Sequence, residues 1–383
     1  MIELQRSSFQ KAFLVGLDMG GKEDGPDTLE EMVLLLENLG ITCAGKTTQR
    51  RSEPDPGYFV GPGKAELIGA EAKDLQAGLV VVDGILSPGQ AGALARVVGL
   101  PVWDRSLVIM KIFEDRAQTE EAKLQVELAR CQYEIPQLKG LGLQMSRPGG
   151  GIATRGPGET EFERHRRKLA RRVREINKKI EAIGDRRESQ RKRRIRAGLA
   201  TVALAGYTNS GKSTLLRRLS GDRDLQVADK LFSTLDPFVR RVKLAECSFV
   251  LFTDTVGFIR KLPPVLVAAF RATLEEISAA DLIVLMADAT SGRFEEDLAV
   301  VEETLITIGA GTVPRVIAIN KADRVDTDRL ISLRTLAGRS GDRVVTISAL
   351  TGENIPEFLN IVKEMLFHAE RKSDGTDEKH DRI

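Results

Sequence analysis

Gly206-Tyr207-Thr208-Asn209-Ser210-Gly211-Lys212-Ser213 reads G-x-x-x-x-G-K-S. It follows a short apolar stretch, Thr201 to Ala205, and leads into Thr214 to Leu219, which reads as the first turns of a helix. Strand, glycine-rich turn and helix start are the context that makes this spacing a phosphate-binding loop. Glycine lets the backbone curl so that successive N–H groups point inward at phosphates. The helix start adds its partial positive charge, with Thr214 in that first turn. Lys212 is placed to reach the β- and γ-phosphates, and the Ser213 hydroxyl to hold Mg²⁺.

Four elements downstream fit the same site. Lys230 to Asp236 falls where a first switch loop belongs, and Thr234 there is the candidate second hydroxyl on Mg²⁺, with Ser233 as the fallback. Val250 to Asp254 reads as a strand ending in Asp254-Thr255-Val256-Gly257, a D-x-x-G. Asp254 would bind Mg²⁺ through water, and the Gly257 N–H would meet the γ-phosphate. Lys212, Thr234 and Gly257 are thus the expected catalytic set. Val316 to Ile319 leads into Asn320-Lys321-Ala322-Asp323. The Asp323 carboxylate can accept from guanine N1–H and N2–H₂, donors that adenine lacks, so the pattern selects GTP. Lys321 would lay its stem on the base and Asn320 brace the loop. Ser348-Ala349-Leu350 would reach guanine O6 through the Ala349 N–H.

Phe258 follows the D-x-x-G, where a Ras-like enzyme has the glutamine that orients water. It can neither donate nor accept a hydrogen bond, so slow hydrolysis alone is expected, with water placed by backbone or by a partner. Asn209 offers an amide oxygen near the phosphates. It reads either as a potassium ligand or as a loop-stabilising asparagine.

Toward the N-terminus, strands alternate with helices: Ala12 to Val15, a helix from an Asp27/Glu30 capping box to Gly40, Ile41 to Ala44, Ala65 to Gln76, Leu79 to Asp83, a helix capped by Ser87, and Pro101 to Asp104. This predicts a small α/β domain with a largely parallel sheet. Gly61-Pro62-Gly63-Lys64 lacks the spacing of a phosphate loop and reads as a turn. Trp103, the only tryptophan, reads as a core anchor.

Leu124, Leu128, Cys131, Ile135 and Leu138 form a heptad seam, and Leu169, Val173, Ile176, Ile180 and Ile183 repeat it after a loop at 139–158. Two such seams predict an antiparallel helical pair. The loop carries Lys139, Arg147 and Arg155 among many glycines, and the second helix is dense in basic residues, Arg166 and Arg167 among them. That density reads as a solvated face or as a polyanion-binding rod, and like charges repel unless a polyanion neutralises them. A glycine-rich basic tip suits close approach to RNA.

The 383 residues carry a formal net charge of +2, which hides this local asymmetry. Cys43, Cys131 and Cys247 lack metal-ligand spacing, and the chain shows neither a secretory signal nor an apolar run of membrane-spanning length. A cytoplasmic monomer is expected, with no membrane partner.

Together, GYTNSGKS, LFSTLDP, DTVGF, NKAD and SAL resemble the HflX family of translational GTPases. VVVDGILSPGQ at 80–90, FEDRAQTEEAKLQVELARCQY at 113–133 and GGGIATRGPGETEFERHRR at 149–167 are similar to that family's own N-terminal domain and linker. The resemblance implies a cytoplasmic factor that binds the large ribosomal subunit, RNA and protein, with its hairpin loop reaching toward the peptidyl-transferase region. It implies splitting of stalled or stress-arrested ribosomes in the GTP state and hydrolysis of GTP to GDP on the subunit. GPGK at 61–64 departs from the family's usual GKGK. Some members also carry a further C-terminal domain whose contacts have no counterpart in these residues.

The expected architecture is an α/β chain. It comprises an N-terminal α/β domain (1–116), a long antiparallel helical hairpin (117–198), a phosphate-loop GTPase domain with a mixed sheet flanked by helices (199–369), and a disordered tail (370–383). Two other functions stay open: an RNA-binding GTPase that times ribosome assembly or RNA remodelling, and a membrane GTPase. The second lacks any lipid anchor or insertion helix.

Overall fold

The computed structural model describes residues 9–20, 26–145, 157–221, 232, 238–245 and 248–367. The chain divides into two compact units, one of residues 1–182 with 261–269, the other of 183–260 with 270–383.

The first unit holds β1 (Lys11–Asp18), α1 (Pro26–Asn38), β2 (Thr42–Arg50), α2 (Pro62–Asp74), β3 (Leu79–Val82), α3 (Pro88–Val98), β4 (Val102–Asp104) and α4 (Arg105–Arg116). The sheet order is β2-β1-β3-β4, all parallel. β1 and β3 are central and covered on both faces, so they read as unbroken apolar runs. β2 is an edge strand with one partner. It runs to Arg50, well past Ala44, because ladder bonds to β1 rather than apolar side chains hold its second half.

Local chemistry sets the element ends. Gly40 adopts φ +71 and lets the Ile41 N–H return to Leu36 O at 3.0 Å, closing α1. The expected Asp27 cap lies outside the described side chains. Ser87 and Gln90 form the full capping box of α3. Residues 61–64, read from sequence as a turn, are instead the start of α2. Proline is tolerated in a first helical turn because its missing N–H has no partner there.

Arg105 is 1 % exposed and lies between Asp83, at 2.7 Å, and Glu31. Asp104 caps α4 through the Leu107 N–H at 2.9 Å and accepts the Tyr133 hydroxyl at 3.2 Å. Burial pushes the Asp104 carboxyl above its usual range.

Tyr133 belongs to α5 (Glu120–Met145), which is followed by α6 (Pro157–Arg196). Leu124, Leu128, Cys131 and Ile176 of the two seams are buried. Arg172 of α6 forks onto Glu127 of α5 at 2.6 and 2.7 Å, far from the connecting segment on both helices, as an antiparallel pair requires. α5 carries Pro136 in its interior and continues through 139–145, and α6 begins at Pro157, so both ends of the stretch expected as a loop at 139–158 are helical, and the rest of it lies outside the described residues. The helical pair as far as residue 182 falls in the same compact unit as the N-terminal sheet.

The second unit contains β5 (Thr201–Gly206), α7 (Lys212–Ser220), β6 (Phe238–Ala245) and β7 (Ser248–Asp254). After α8 (Pro264–Ser278) come β8 (Leu282–Asp288), α9 (Phe294–Thr307), β9 (Arg315–Asn320), α10 (Thr327–Ala337), β10 (Arg343–Thr346) and α11 (Ile355–Phe367). The six-stranded order is β10-β9-β8-β5-β7-β6, with only the β6–β7 pair antiparallel. Val202, Leu204, Leu216, Phe252 and Phe358 pack on one face, and Ala203, Ala205, Ile283, Leu285 and Phe294 on the other. The carboxyl ends of β5, β7, β9 and β10 therefore lie along one sheet edge, where open α/β sheets bind ligands. Among the described residues, no helix is long and apolar enough to cross a membrane.

Candidate nucleotide-binding site

β5 delivers the phosphate loop and α7 begins at Lys212. Lys212 is 6 % exposed, and its ammonium donates to Gly206 O at 3.0 Å and Tyr207 O at 2.8 Å. Burial pushes its pKa down to about 8, opposed by the Asp254 charge. The Ser210 hydroxyl stands 3.5 Å from the same nitrogen. Gly211 adopts φ +96, and a Cβ there would run into the Asn320 amide, so glycine is required. Asn209 also has a left-handed backbone, φ 61, with its side chain exposed. The Thr208 hydroxyl is buried without a hydrogen-bond partner among the described residues, a state that costs about 1–3 kcal/mol until a ligand satisfies it. Thr214 is half-buried in the first turn of α7.

Ser213 donates its hydroxyl to Asp254 Oδ2 at 2.6 Å, and Asp254 is fully buried. One comes from the start of α7 and the other from the end of β7. A hydroxyl and a carboxylate meeting beside a phosphate loop fit Mg²⁺, which takes few protein oxygens and keeps several waters. Thr234 and Ser233 lie outside the described residues.

The D-x-x-G segment lies against the phosphate loop. The Phe258 N–H donates to Gly206 O at 3.1 Å, and the Thr208 N–H donates to Phe258 O at 2.8 Å. The Phe258 side chain is 2 % exposed and packs with Ala205, Leu285 and Phe294, so it is spent in the core rather than aimed at phosphates. A Cβ on Gly257 would lie 2.9 Å from Thr208 Cα and 3.2 Å from Lys212 Nζ, which leaves no room for a side chain.

At the base end, Asn320 Nδ2 donates to Ser210 O at 2.8 Å, and Asn320 Oδ1 accepts the Ala349 N–H at 2.9 Å. These two bonds join three loops. The Ala349 N–H, assigned from sequence to guanine O6, goes to Asn320 in this structure. Lys321 adopts φ 63 and pairs with Asp288 at 2.7 Å, while Asp323 is exposed in the short turn that follows. The Ser348 hydroxyl accepts the Thr351 N–H, and Leu350 is 65 % exposed. Sequence reasoning missed Arg218, which donates to Ala349 O at 2.6 Å and to Leu350 O. Nothing local to Arg218 signals a partner so distant in the chain.

Of the basic residues assigned to RNA, Arg166 is half-buried and Arg167 exposed, at 3.9 and 3.8 Å from Glu163. Lys139 falls on α5 with its side chain outside the described set, as are Arg147 and Arg155.

Known proteins match most of the chain. Residues 26–114 match the family model described as GTP-binding GTPase N-terminal, and 116–194 the GTP-binding GTPase Middle Region. Residues 201–321 match 50S ribosome-binding GTPase. GTPase HflX of Caldanaerobacter subterraneus subsp. tengcongensis is 40% identical over 367 residues, 96% of this chain and 83% of that protein. The chain belongs to the HflX GTPase family. GTPase HflX of Escherichia coli is 39% identical over 364 residues, covering 93% of this chain and 83% of its own. Among solved structures, the crystal structure of the SsGBP and GDP complex aligns with TM-score 0.52 and 25% identity, over 94% of this chain and 99% of the other. The HflX chain is thus a GTPase, and GTP and GDP are its nucleotides. GTPases of this phosphate-loop class use their nucleotide with Mg²⁺.

Proposed function

We propose that this HflX GTPase is a translation factor that binds the large ribosomal subunit in its GTP state and dissociates stalled or stress-arrested ribosomes. Its hydrolysis is stimulated by the subunit. The observation that carries this reading is the burial of Phe258 in the core. With no side chain at that position to orient water, a partner completes the site. The basic surface of α6 suits a polyanionic partner, and the match of 201–321 to a 50S ribosome-binding GTPase points to the large subunit.

In this reading Lys212 and the loop 206–214 hold the phosphates, with Ser213, Thr234 and Asp254 around Mg²⁺. Gly257 senses the γ-phosphate, while Asn320, Lys321, Asp323 and Ser348 to Leu350 hold guanine. Asn209, exposed at the loop, takes a potassium ion that adds positive charge where negative charge develops. Lys139, Arg147, Arg155, Arg166 and Arg167 meet ribosomal RNA.

The test is GTP turnover with and without purified large subunits, in potassium and in sodium. Strong stimulation by subunits and a higher rate in potassium are expected. Equal stimulation by free structured RNA would favour an assembly or remodelling factor instead. No stimulation by subunits would sink the proposal.

A further inference from the structure

Arg260 follows the Gly257-Phe258 pair and is only 9 % exposed. Its guanidinium meets Asp297 Oδ1 at 2.8 Å and Glu296 Oε2 at 3.2 Å, both in the first turn of α9. Asp297 is itself fixed, since its other oxygen accepts the Ser291 hydroxyl at 2.6 Å. At its backbone, Arg260 donates its N–H to the Tyr207 phenol oxygen at 3.1 Å. Tyr207 is the second residue of the phosphate loop and forms a parallel bridge with Phe258. Residues 258–260 are therefore tied to the phosphate loop at three backbone points and to α9 by a nearly buried ion pair.

This clasp has a physical reason to exist. The side chain after the D-x-x-G is spent in the core, so the loop's catalytic geometry rests on its backbone alone. The Gly257 Cα lies against Thr208 and the Lys212 ammonium, with no slack for a side chain. A shift of about 1 Å in such a group can change a rate a hundredfold. A buried arginine held by two carboxylates is a stiff anchor, and the phenol oxygen fixes the same residue from the other side. We infer that Tyr207 and Arg260, the latter through Asp297, are positioning residues for GTP hydrolysis. They hold the Gly257 peptide in register with Lys212 on the phosphate loop, where the γ-phosphate of GTP is recognised. GDP lacks that phosphate and does not depend on the register.

Tyr207→Phe is the cleanest test, because the ring is kept and the hydroxyl that accepts the Arg260 N–H is removed. Single-turnover cleavage of bound GTP by the full chain is expected to fall about three- to twelve-fold, the worth of one hydrogen bond. GDP affinity should stay within about two-fold, so the GTP-to-GDP preference falls. Arg260→Ala should lower cleavage at least as far, and Arg260→Lys should recover part of it. Adding Asp297→Ala to Arg260→Ala should change the rate little further, since both act through one contact. Thermal midpoints are recorded for every variant. A clasp that serves only the fold would lower the midpoint while leaving cleavage of bound GTP unchanged, and that result overturns the assignment. So does a parallel loss of GTP and GDP affinity, or a faster rate. Because no ribosome enters these assays, the outcome is separate from the ribosomal reading above.

Discussion

The chain contains two glycine-flanked lysines that each open a helix, one at 61–64 and one at 206–213, and they do different work. At the first, the Gly61 N–H is taken by Gln49 Oε1 at 2.8 Å, and the Gly61 backbone is extended, φ −63 and ψ 151. Lys64 is half-exposed. At the second, four residues separate the glycines, and Gly211 caps the helix in the left-handed region. That spacing makes a loop wide enough to fold Lys212 back over its own carbonyls, and β7 brings Asp254 beneath it. A lysine after glycine is thus not enough. What separates the two is a loop that encloses the ammonium and keeps polar groups such as the Thr208 hydroxyl waiting for a ligand.

Exchanging each lysine should separate the two most widely. Lys212→Ala removes the one ammonium in the phosphate loop, and kcat/KM for GTP should fall by about a thousandfold or more, roughly 4 kcal/mol. Lys64→Ala should leave GTP turnover by the isolated protein within about two-fold. Steady-state turnover of both variants decides it, and a large loss from Lys64→Ala would mean that the N-terminal loop also serves the nucleotide.

The braces of the two loops come next. Asn320→Ala removes two buried hydrogen bonds that join the phosphate loop to the loops after β9 and β10. The expected loss is about 2–4 kcal/mol of GDP affinity, read by fluorescent-nucleotide titration. Gln49→Ala frees only the Gly61 N–H, so it should cost about 1 kcal/mol of stability and leave GDP affinity unchanged. Trp103 is the sole tryptophan and is buried in the first unit, so its fluorescence during urea unfolding reports that unit.

The same contrast shows what could be read from sequence. The loop 206–213, Asp254 to Gly257 and Asn320 to Asp323 are short runs whose strand, turn and helix are all local, so their chemistry follows from spacing. Arg218 on the Ala349 carbonyl and Arg260 between Asp297 and Tyr207 are contacts between distant elements, with no local pattern to announce them. Helix α5 runs through Pro136, Gly140 and Gly142, each of which disfavours a helix interior, so local propensity does not announce its full length. Strand β2 extends past its apolar start for the opposite reason: its second half is polar and is held by backbone bonds to β1. The sense of Phe258 was half legible. Its inability to orient water follows from its chemistry, whereas its burial beside Phe294 needed the fold.

The smallest expected effect is a proton. Burial lowers the Lys212 pKa from 10.5 to about 8, with Asp254 opposing the shift. Between those values the unfolded chain binds more protons than the folded one, so this group makes stability rise with pH across that window. Below about pH 8 both states are protonated, the slope vanishes, and a penalty of about 3 kcal/mol remains in the nucleotide-free protein. Phosphate beside the ammonium favours the charged form and should raise the pKa again. GTP binding at pH 8 should therefore take up about half a proton, seen as a dependence of calorimetric binding enthalpy on the ionisation enthalpy of the buffer. Lys212→Arg, charged at every working pH, should abolish that dependence, and Lys64→Ala should preserve it. A wild-type enthalpy that is the same in every buffer would show that Lys212 is already fully charged before the nucleotide arrives. The enclosure that distinguishes the two loops would then be weaker than the burial of the ammonium indicates.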